Sequence, residues 1–302
     1  MTVNDPGRIP VVHLVDGTYE LFRYHFAVPS HVTTEGVEVA ATRGVLGSML
    51  GLLADGATHV GVATDRVVES FRNDLFDGYK TGEGTPPELF AQFPLLEAVL
   101  EAAGFTVFAM VAHEADDAMG AAAVRAGADP RVSAVHICTP DKDLAQVVDD
   151  SAGIAQLDRR REVLYDQAGV VEKFGVEPTS IPDWLALVGD TADGIPGLPG
   201  WGAKSSSVVL ARYGHLESIP ADAEDWDVTV RSAAKLAATL VERRDDAELY
   251  RHLATLDLDA PVMDDVEDLR WTGPADHLEA VCAHIDAPRV AERARRLAAE
   301  RT

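Results

Sequence analysis

Carboxylate side chains with the spacing of a metal site are the part of this sequence best equipped for chemistry. They are Asp16, Asp65, Glu114, Asp116, Asp117, Asp141, Asp143, Asp190 and Asp193. Apolar runs lead into Asp16, Asp65 and Asp141, and short runs rich in β-branched residues are typical of buried parallel strands. Ligands bind beyond the carboxyl ends of the strands in an open α/β sheet. The pattern therefore predicts one shared acidic pocket.

Such a pocket requires counter-ions. Two carboxylates about 4 Å apart repel each other by roughly 4 kcal/mol at an effective dielectric constant of about 20. Either some of the carboxylates bind protons or divalent cations neutralise them. Because all the predicted ligand atoms are oxygens, the sequence favours Mg²⁺ or Mn²⁺ over zinc.

Each acidic group also has a simpler structural interpretation. Glu114 and Asp117 share one helix face, and acidic residues are generally favoured at a helix start by the helix dipole. Segments 139–143 and 189–194 are equally typical of turns. No single group decides between the interpretations, but their joint occurrence favours a metal site.

Composition limits the class of protein. The 302 residues include 26 basic and 50 acidic ones, and the net charge of −24 argues against a generally basic nucleic-acid-binding surface, although not against a local one. The two cysteines, Cys138 and Cys282, lie far apart, which argues against a disulfide framework or a zinc site. The N-terminus lacks the layout of a signal peptide, and the longest apolar stretch, 44–54, is too short to cross a bilayer. We therefore expect a soluble, cytoplasmic protein.

Strands and helices alternate along the first half of the chain. Periodicity predicts helices over about 19–26, 41–54, 88–103 and 114–127, strands over 105–111, 154–157 and 162–165, and an all-helical tail from residue 229. Residues 66–87 show no clear periodicity and contain several glycines and a Pro-Pro pair, which predicts a long connection.

A glycine-rich motif at 194–204 is the second strong signal. Gly200 and Gly202 flank one apolar residue and precede a predicted helix, a pattern that allows close approach of a backbone and leaves N–H groups free to bind a phosphate. Lys204, Ser205 and Ser206 would contribute further phosphate contacts. A Gly/Pro linker is the alternative, but helical patterns on both sides favour a helix-hairpin-helix, which binds nucleic-acid backbone without reading bases.

The connection after Asp65 carries Arg72, Tyr79 and Lys80. A basic side chain near the metals would orient a phosphate and offset developing charge. The alternative is a solvated loop, because acidic residues share the segment.

The ordered motifs resemble the 5′-nuclease (flap endonuclease) superfamily, and most closely the N-terminal 5′→3′ exonuclease domain of bacterial DNA polymerase I. The resembling segments are 14–17, 71–72, 78–82, 114–117, 139–144 and 189–202. They occur in family order and span about residues 10–260. No polymerase domain follows them, so we expect a stand-alone member.

The resemblance implies an α/β fold with a PIN-like core and a central, mostly parallel sheet over residues 1–178. It also implies a helical arch at about 66–94 and a helical C-terminal domain, 179–302, with the helix-hairpin-helix at about 183–214. The nine carboxylates match the two-metal ligands of the family. Asp16, Glu114, Asp116 and Asp141 would form the tighter site, and Asp143, Asp190 and Asp193 the looser one.

Other positions also match the family. Arg72 and Lys80 match the catalytic phosphate contacts at the base of the arch, and Phe22 with Arg23 matches an aromatic-basic pair near the site. The hairpin of this family often binds K⁺ through backbone carbonyls. Gly194 stands where the family usually has Asn.

The resemblance implies a monomeric Mg²⁺- or Mn²⁺-dependent hydrolase with two ions, which cuts DNA at or near the 5′ end of branched or nicked duplexes. Two alternatives stay open. One is a catalytically weak, structure-specific DNA-binding module, favoured by an arch with three basic and five acidic residues. The other is a PIN-type ribonuclease.

Overall fold

One six-stranded sheet forms the centre of the computed structural model, which describes Ile9 and residues 11–301. The strands are β1 Val12–Asp16, β2 His59–Asp65, β3 Thr106–Met110, β4 Val135–Cys138, β5 Ile154–Asp158 and β6 Val163–Tyr165. Their order is β3-β2-β1-β4-β5-β6, and only the β5–β6 pair is antiparallel. The predicted mostly parallel sheet is therefore confirmed.

Helices cover both faces of the sheet and build a second, helical unit. They are α1 Gly17–Ala27, α2 Ala40–Ala54, α3 Phe71–Leu75, α4 Pro87–Phe90, α5 Gln92–Ala102, α6 Ala115–Gly127, α7 Gln167–Phe174, α8 Ile181–Val188, α9 Ala203–Tyr213, α10 Ala233–Glu242, α11 Arg244–Ala254, α12 Leu278–His284 and α13 Pro288–Ala299. The described helices include none that is both long and apolar enough to cross a membrane.

The sequence of the central strands follows from their burial on both faces. Helices α2 and α5 pack on one face, and α6 packs on the other. Six of the seven residues of β2 are buried. A strand with no solvent-facing side reads as a continuous apolar run rather than an alternating one.

The helical unit has its own hydrophobic core. Helix α8 lies at its centre, and its buried residues include Trp184, Leu185 and Leu187. Helices α9 and α11 pack against it. This unit carries the glycine-rich loop between α8 and α9, and so brings that loop to the sheet domain.

The prediction of an all-helical tail from residue 229 is wrong for most of residues 255–277, where only the 3₁₀ turn Val266–Leu269 is helical. Two prolines, Pro261 and Pro274, interrupt this segment, and Gly273 has φ +119°. The backbone instead runs beside the sheet domain, where the Trp271 N–H donates to the Thr58 carbonyl at 2.8 Å.

The last two helices pack on the first core, although the predicted division 179–302 placed them with the second domain. Leu278, Ile285 and Leu297 are buried in the cluster that also contains α2 and α5. Their apolar faces have the sheet domain as their partner, so this end of the chain closes the N-terminal core.

The segment 66–94, expected to form a helical arch, holds only two short complete helices, α3 and α4. Helix α5 then begins at Gln92, so the predicted helix 88–103 is divided at Ala91. Glycines and the Pro86-Pro87 pair prevent a longer helix here.

Truncation of Leu278 to Ala tests the packing of the C-terminal helices. Leu278 is fully buried, so we expect Leu278→Ala to lower the free energy of unfolding by about 2–5 kcal/mol in urea titrations. Leu258, 42% exposed, is the matched control, and Leu258→Ala should cost about 1 kcal/mol or less. Equal losses in the two variants would contradict the packing.

Candidate metal site and nucleic-acid interface

The sheet brings the first acids together at its carboxyl edge. Asp16 ends β1, which lies between β2, ending at Asp65, and β4. Asp16 caps the start of α1 by accepting from the Tyr19 N–H at 2.7 Å, and its second oxygen accepts from the Thr139 hydroxyl at 2.8 Å. The carboxylate of Asp16 is thus fixed from two neighbouring strand ends.

Asp65 connects the sheet to the start of α6. Its Oδ1 accepts from the Ala115 N–H at 2.8 Å, and its own N–H donates to Thr18 Oγ1 at 2.9 Å. This contact holds the first turn of α6 at the edge of the sheet, and Asp116 lies in that turn.

Three further acids form a cluster on the side of the helical unit. Asp143, Asp190 and Asp193 each offer a ligand atom, and these atoms lie within 4.8 Å of one another. Oδ1 of Asp143 is buried and has no hydrogen-bond partner. Asp141 holds the backbone beside it by accepting from the Asp143 N–H at 3.1 Å. A buried carboxylate oxygen without a donor is a position where a cation fits.

Burial and mutual repulsion raise the pKa values of the clustered carboxyls. Burial, joined by the charges of Asp65 and Asp141, raises the pKa of Asp16 to about 7. The same causes raise the pKa of Asp116, which faces Asp141 and Asp16, and of Asp143, which faces Asp141, well above the usual range. The charges act across both groups of acids, so the two groups lie near one another.

Two lysines provide positive charge inside this pocket. Lys80 Nζ lies 2.7 Å from Glu114 Oε2 and 2.9 Å from Asp193 Oδ1, and Lys142 forms an ion pair with Asp190. Burial alone would lower the pKa of Lys80, but Glu114 and Asp193 raise it well above its usual value. Lys80 therefore stays charged and offsets part of the acidic repulsion.

Gly194 explains how Lys80 reaches its position. It has φ +76°, and a Cβ atom built on it would lie 2.1 Å from the Gly78 carbonyl oxygen. This close contact lets the Lys80 N–H donate to the Asp193 carbonyl at 2.9 Å. The departure from the family's usual Asn thus has a steric reason, because the 78–80 backbone occupies the space of a side chain.

Arg72 and Asp117 lie behind the pocket, and their predicted roles need correction. Arg72 is 2% exposed and makes a two-pronged contact with Asp117, at 2.7 and 2.8 Å. It also donates to the carbonyls of Leu253 and Thr255, at 2.8 and 2.9 Å. A guanidinium saturated in this way does not contact a phosphate, so Arg72 is a positioning residue.

The carboxylate of Asp117 has no free oxygen for a metal. In addition to Arg72 it accepts from the N–H groups of Glu114 and Asp257, at 2.9 and 2.8 Å, and it is fully buried. The helix-start interpretation therefore holds for Asp117.

Glu114 and Tyr79 lie between the acidic pocket and the buried Arg72–Asp117 pair. Glu114 accepts from Ser70 at 2.6 Å and from Arg72 at 3.1 Å in addition to Lys80. Burial raises the pKa of its carboxyl, but Lys80 and Arg72 outweigh this effect and lower it. Tyr79, predicted as a DNA contact, is 4% exposed and directs its hydroxyl to Glu114 at 3.3 Å, so it supports the site from inside.

The loop between α8 and α9 has the geometry of a hairpin whose glycines differ in function. Gly189 and Gly197 pack backbone against backbone, since a Cβ on Gly197 would lie 2.6 Å from the Gly189 nitrogen. Gly200 has φ +89°, and Gly202 faces open space. Close packing within the protein therefore occurs at the first pair, and the second pair leaves room for a ligand.

The start of α9 faces a groove of about 710 Å³ lined by Lys204, Thr229 and Arg231. Lys204 is exposed there. Ser205 uses its hydroxyl locally, accepting from the Gly202 N–H at 3.1 Å. Ser206 is fully buried, so the prediction that it contacts DNA does not fit its position.

Phe22 and Arg23, although adjacent in sequence, have different surroundings. Phe22 packs edge-on against Phe93, with ring centroids 6.2 Å apart, and contributes to the core. Arg23 is half-buried, pairs with Glu20 and stacks over Tyr24 at 4.2 Å. Only Arg23 of this pair presents a charge near the acidic pocket.

Several supporting residues were missed by the sequence analysis. The hydroxyls of Ser70, Thr18 and Thr139 hold site segments in place by hydrogen bonds, and Lys142 pairs with Asp190. Thr139 and Lys142 lie within a motif that was recognised for its acids. Ser70 and Thr18 carry no signal in one sequence, because single hydroxyl residues are common both in loops and in the first turn of a helix.

Two family models match consecutive parts of the chain. The first, described as 5′-3′ exonuclease, N-terminal resolvase-like domain, matches residues 11–175. The second, 5′-3′ exonuclease, C-terminal SAM fold, matches residues 176–277. The chain belongs to the 5′-3′ exonuclease family, whose members are hydrolases acting on DNA.

Two relatives are similar to the chain in sequence, and one solved structure is similar to it in fold. DNA polymerase I of Bacillus caldotenax is 33% identical over 269 residues, which make up 86% of this chain and 29% of that protein, so the chain spans less than a third of this relative. The 5′-3′ exonuclease of Aquifex aeolicus is 29% identical over 265 residues, which cover 87% of each protein. The flap endonuclease of bacteriophage T5, solved as a pseudo-enzyme-product complex with DNA and metal ions, has a TM-score of 0.62 at 20% identity, over 93% of this chain and 99% of the other.

Replacement of Arg72 tests its positioning role. Arg72→Ala leaves Asp117 buried without its partner, so we expect it to lower the free energy of unfolding by about 3–5 kcal/mol. Arg72→Lys should recover only part of the lost free energy of unfolding, because an ammonium cannot make the two-pronged contact. Arg270, 46% exposed and paired with Glu267, is the control, and Arg270→Ala should cost about 1 kcal/mol or less. Similar losses for Arg72→Ala and Arg270→Ala in urea titrations would contradict the role.

The raised pKa of Asp16 predicts a pH-dependent stability of the metal-free protein. Asp16 keeps its proton up to about pH 7 in the folded state, whereas an unfolded Asp releases it near pH 4. Proton binding at Asp16 therefore favours the folded state. Its contribution to the free energy of unfolding is fully present below pH 4 and is lost as the pH rises to 7. Asp16→Asn should therefore raise the Tm in EDTA more at pH 8 than at pH 5. The histidines titrate in both proteins, so their effect on the Tm cancels when the two proteins are compared at the same pH. An equal change in Tm at the two pH values would contradict the raised pKa of Asp16.

Proposed function

We propose that the chain is a divalent-metal-dependent 5′→3′ exonuclease and structure-specific flap endonuclease that hydrolyses DNA phosphodiester bonds with two metal ions. The observation that carries this proposal is the cluster of Asp143, Asp190 and Asp193, whose ligand atoms lie within 4.8 Å of one another and include a buried oxygen of Asp143 with no hydrogen-bond partner. The charges of Asp16, Asp116 and Asp141 act on one another and on Asp143, which supports a second ligand group beside this cluster. Family membership supports the reaction class.

The donor set fits hard divalent ions, because every candidate ligand is a carboxylate oxygen and both cysteines are buried and unpaired. Asp16, Asp116 and Asp141 would hold one Mg²⁺ or Mn²⁺, with Asp65 behind them, and Asp143, Asp190 and Asp193 would hold the other. Bound ions would supply Lewis-acid stabilisation and an activated water. Glu114 would act on the first group through Lys80, which it holds in place.

Lys80 is the residue of this chain best placed to orient the substrate phosphate. Its side chain is 25% exposed, and its ammonium lies between the two acidic groups. A cation fixed by two carboxylates needs no reorganisation when a phosphate arrives, and it then opposes the charge that develops on the oxygens. Arg72 and Tyr79 contribute by holding Glu114 in place.

The hairpin would hold the duplex part of the substrate. The exposed Lys204, the N–H groups at the start of α9 and the groove beside them suit a phosphate backbone. Carbonyl oxygens of the 189–202 loop would bind K⁺. The T5 complex with DNA supports DNA as the ligand, and we propose that the protein acts as a cytoplasmic monomer on branched or nicked duplexes with a 5′ end.

Asp116→Asn tests the catalytic assignment on a 5′-flap DNA with Mg²⁺ or Mn²⁺. It removes one charge and keeps the shape, and we expect turnover to fall by more than about 100-fold, beyond the effect of losing an outer-shell partner. Asp74→Asn, a change of an exposed acid in segment 66–94, is the control and should leave turnover unchanged.

Three results would contradict the proposal. Near-normal turnover in Asp116→Asn would reject the metal site. Binding of the flap by the wild-type protein without product under either metal would favour a binding module. Faster cleavage of a matched RNA substrate would favour a ribonuclease.

A further inference from the structure

Arg159, Arg160 and Arg161 form the only run of three basic residues in the chain. They occupy the turn between β5 and β6, outside every motif that indicated a function. In a protein with a net charge of −24, such a concentration of positive charge is unusual and marks a place where an anion would be attracted.

Two of these arginines line a pocket of about 150 Å³ together with Arg23. The pocket also includes Tyr19 and Thr139, and both of these residues donate hydrogen bonds to the Asp16 carboxylate. The pocket and the acidic site therefore share a wall. An anion bound here would lie beside the reaction site without entering it.

The turn that carries the arginines is fixed from below. Asp158, 5% exposed, accepts from the N–H groups of Arg160 and Arg161 at 3.1 and 3.0 Å. Arg159 Nη2 donates to Ser48 Oγ at 3.1 Å. These contacts hold the backbone and one guanidinium before any ligand arrives, which lowers the entropy lost on binding.

The arginines keep donors that the protein does not use. Nε of Arg23 and Nη1 of Arg159 are buried without a hydrogen-bond partner among the described residues. Arg159 Nη1 lies 3.6 Å from Glu20, too far for a hydrogen bond. No carboxylate of the described chain forms an ion pair with Arg160. Three arginines thus line the pocket together with only two carboxylate residues, Glu20 and Asp158.

We propose that this arginine pocket, defined by Arg23, Arg159 and Arg160, binds one phosphate group of the substrate strand next to the scissile bond. The inference rests on the proposed function and adds a contact at Arg159 and Arg160 to the expected Arg23. The pocket holds the volume of about five water molecules, which is room for a phosphate group, and its arginine lining favours an anion over an uncharged base. Guanidinium donors match phosphate oxygens, and such a contact fixes the register of the strand.

Two kinds of phosphate group in the DNA strand could bind in this way, a 5′-terminal monoester or an internal diester. Binding of fluorescent 5′-flap DNA, with and without a 5′-phosphate, is measured by anisotropy in EDTA over a range of salt concentrations. The variants are Arg159→Gln and Arg160→Gln. Arg161→Gln is the matched control, because it removes the same charge from the same turn but lies outside the pocket and is 72% exposed.

We expect Arg159→Gln and Arg160→Gln to weaken binding about tenfold, the effect of losing one charged hydrogen bond. Each should also reduce the slope of log K against log salt by about one. Arg161→Gln should change both quantities little. A loss confined to the 5′-phosphorylated DNA assigns the pocket to the terminal phosphate, and an equal loss for both DNAs assigns it to an internal one.

Equal effects of all three substitutions would overturn the proposal, because they would reflect net charge alone. Failure of the wild-type protein to bind either DNA would also overturn it. Cleavage by the wild-type protein is measured separately with Mn²⁺. Pocket-specific binding without cleavage would sustain the arginine pocket and reject the nuclease function, so the two failures are distinguishable.

Discussion

Repulsion between buried carboxylates is the constraint on which the rest of the site depends. The fold brings acids from three strand ends, the first turn of α6 and the α8–α9 loop near one another, and burial and mutual charge raise the pKa values of Asp16, Asp116 and Asp143. Lys80 and Lys142 offset only part of this charge. Divalent ions would relieve the remainder, so the same repulsion that lowers the stability of the folded protein would favour the binding of cations.

The buried Arg72–Asp117 pair determines where that pocket lies relative to the helical unit. Arg72 donates to the carbonyls at the end of α11, and Asp117 accepts from the Asp257 N–H. The start of α6, which carries Asp116, is therefore tied to the last turn of α11. One residue pair thus couples the geometry of the first acidic group to the domain that carries the hairpin.

The sequence was sufficient to predict the sheet and the positions of Asp16 and Asp65 at its strand ends, but not the function of each polar residue. Asp16 and Asp65 were predictable because an apolar strand precedes each of them. Arg72 and Asp117 were assigned to a phosphate and a metal because the backbone groups that their side chains bind, at residues 253–257, are distant in sequence. The tail was misjudged at residues 255–277, where Pro261, Pro274 and Gly273 interrupt the helices. A single sequence also does not show which surface covers a helix, so the packing of α12 and α13 on the sheet domain was not predictable.

Diffraction from crystals soaked in Mn²⁺, with anomalous maps, tests the central claim most directly. The account predicts two peaks in one pocket, one against Asp16, Asp116 and Asp141 and the other against Asp143, Asp190 and Asp193, with Lys142 displaced from Asp190. Peaks confined to surface carboxylates, or an empty pocket at saturating Mn²⁺, would contradict it.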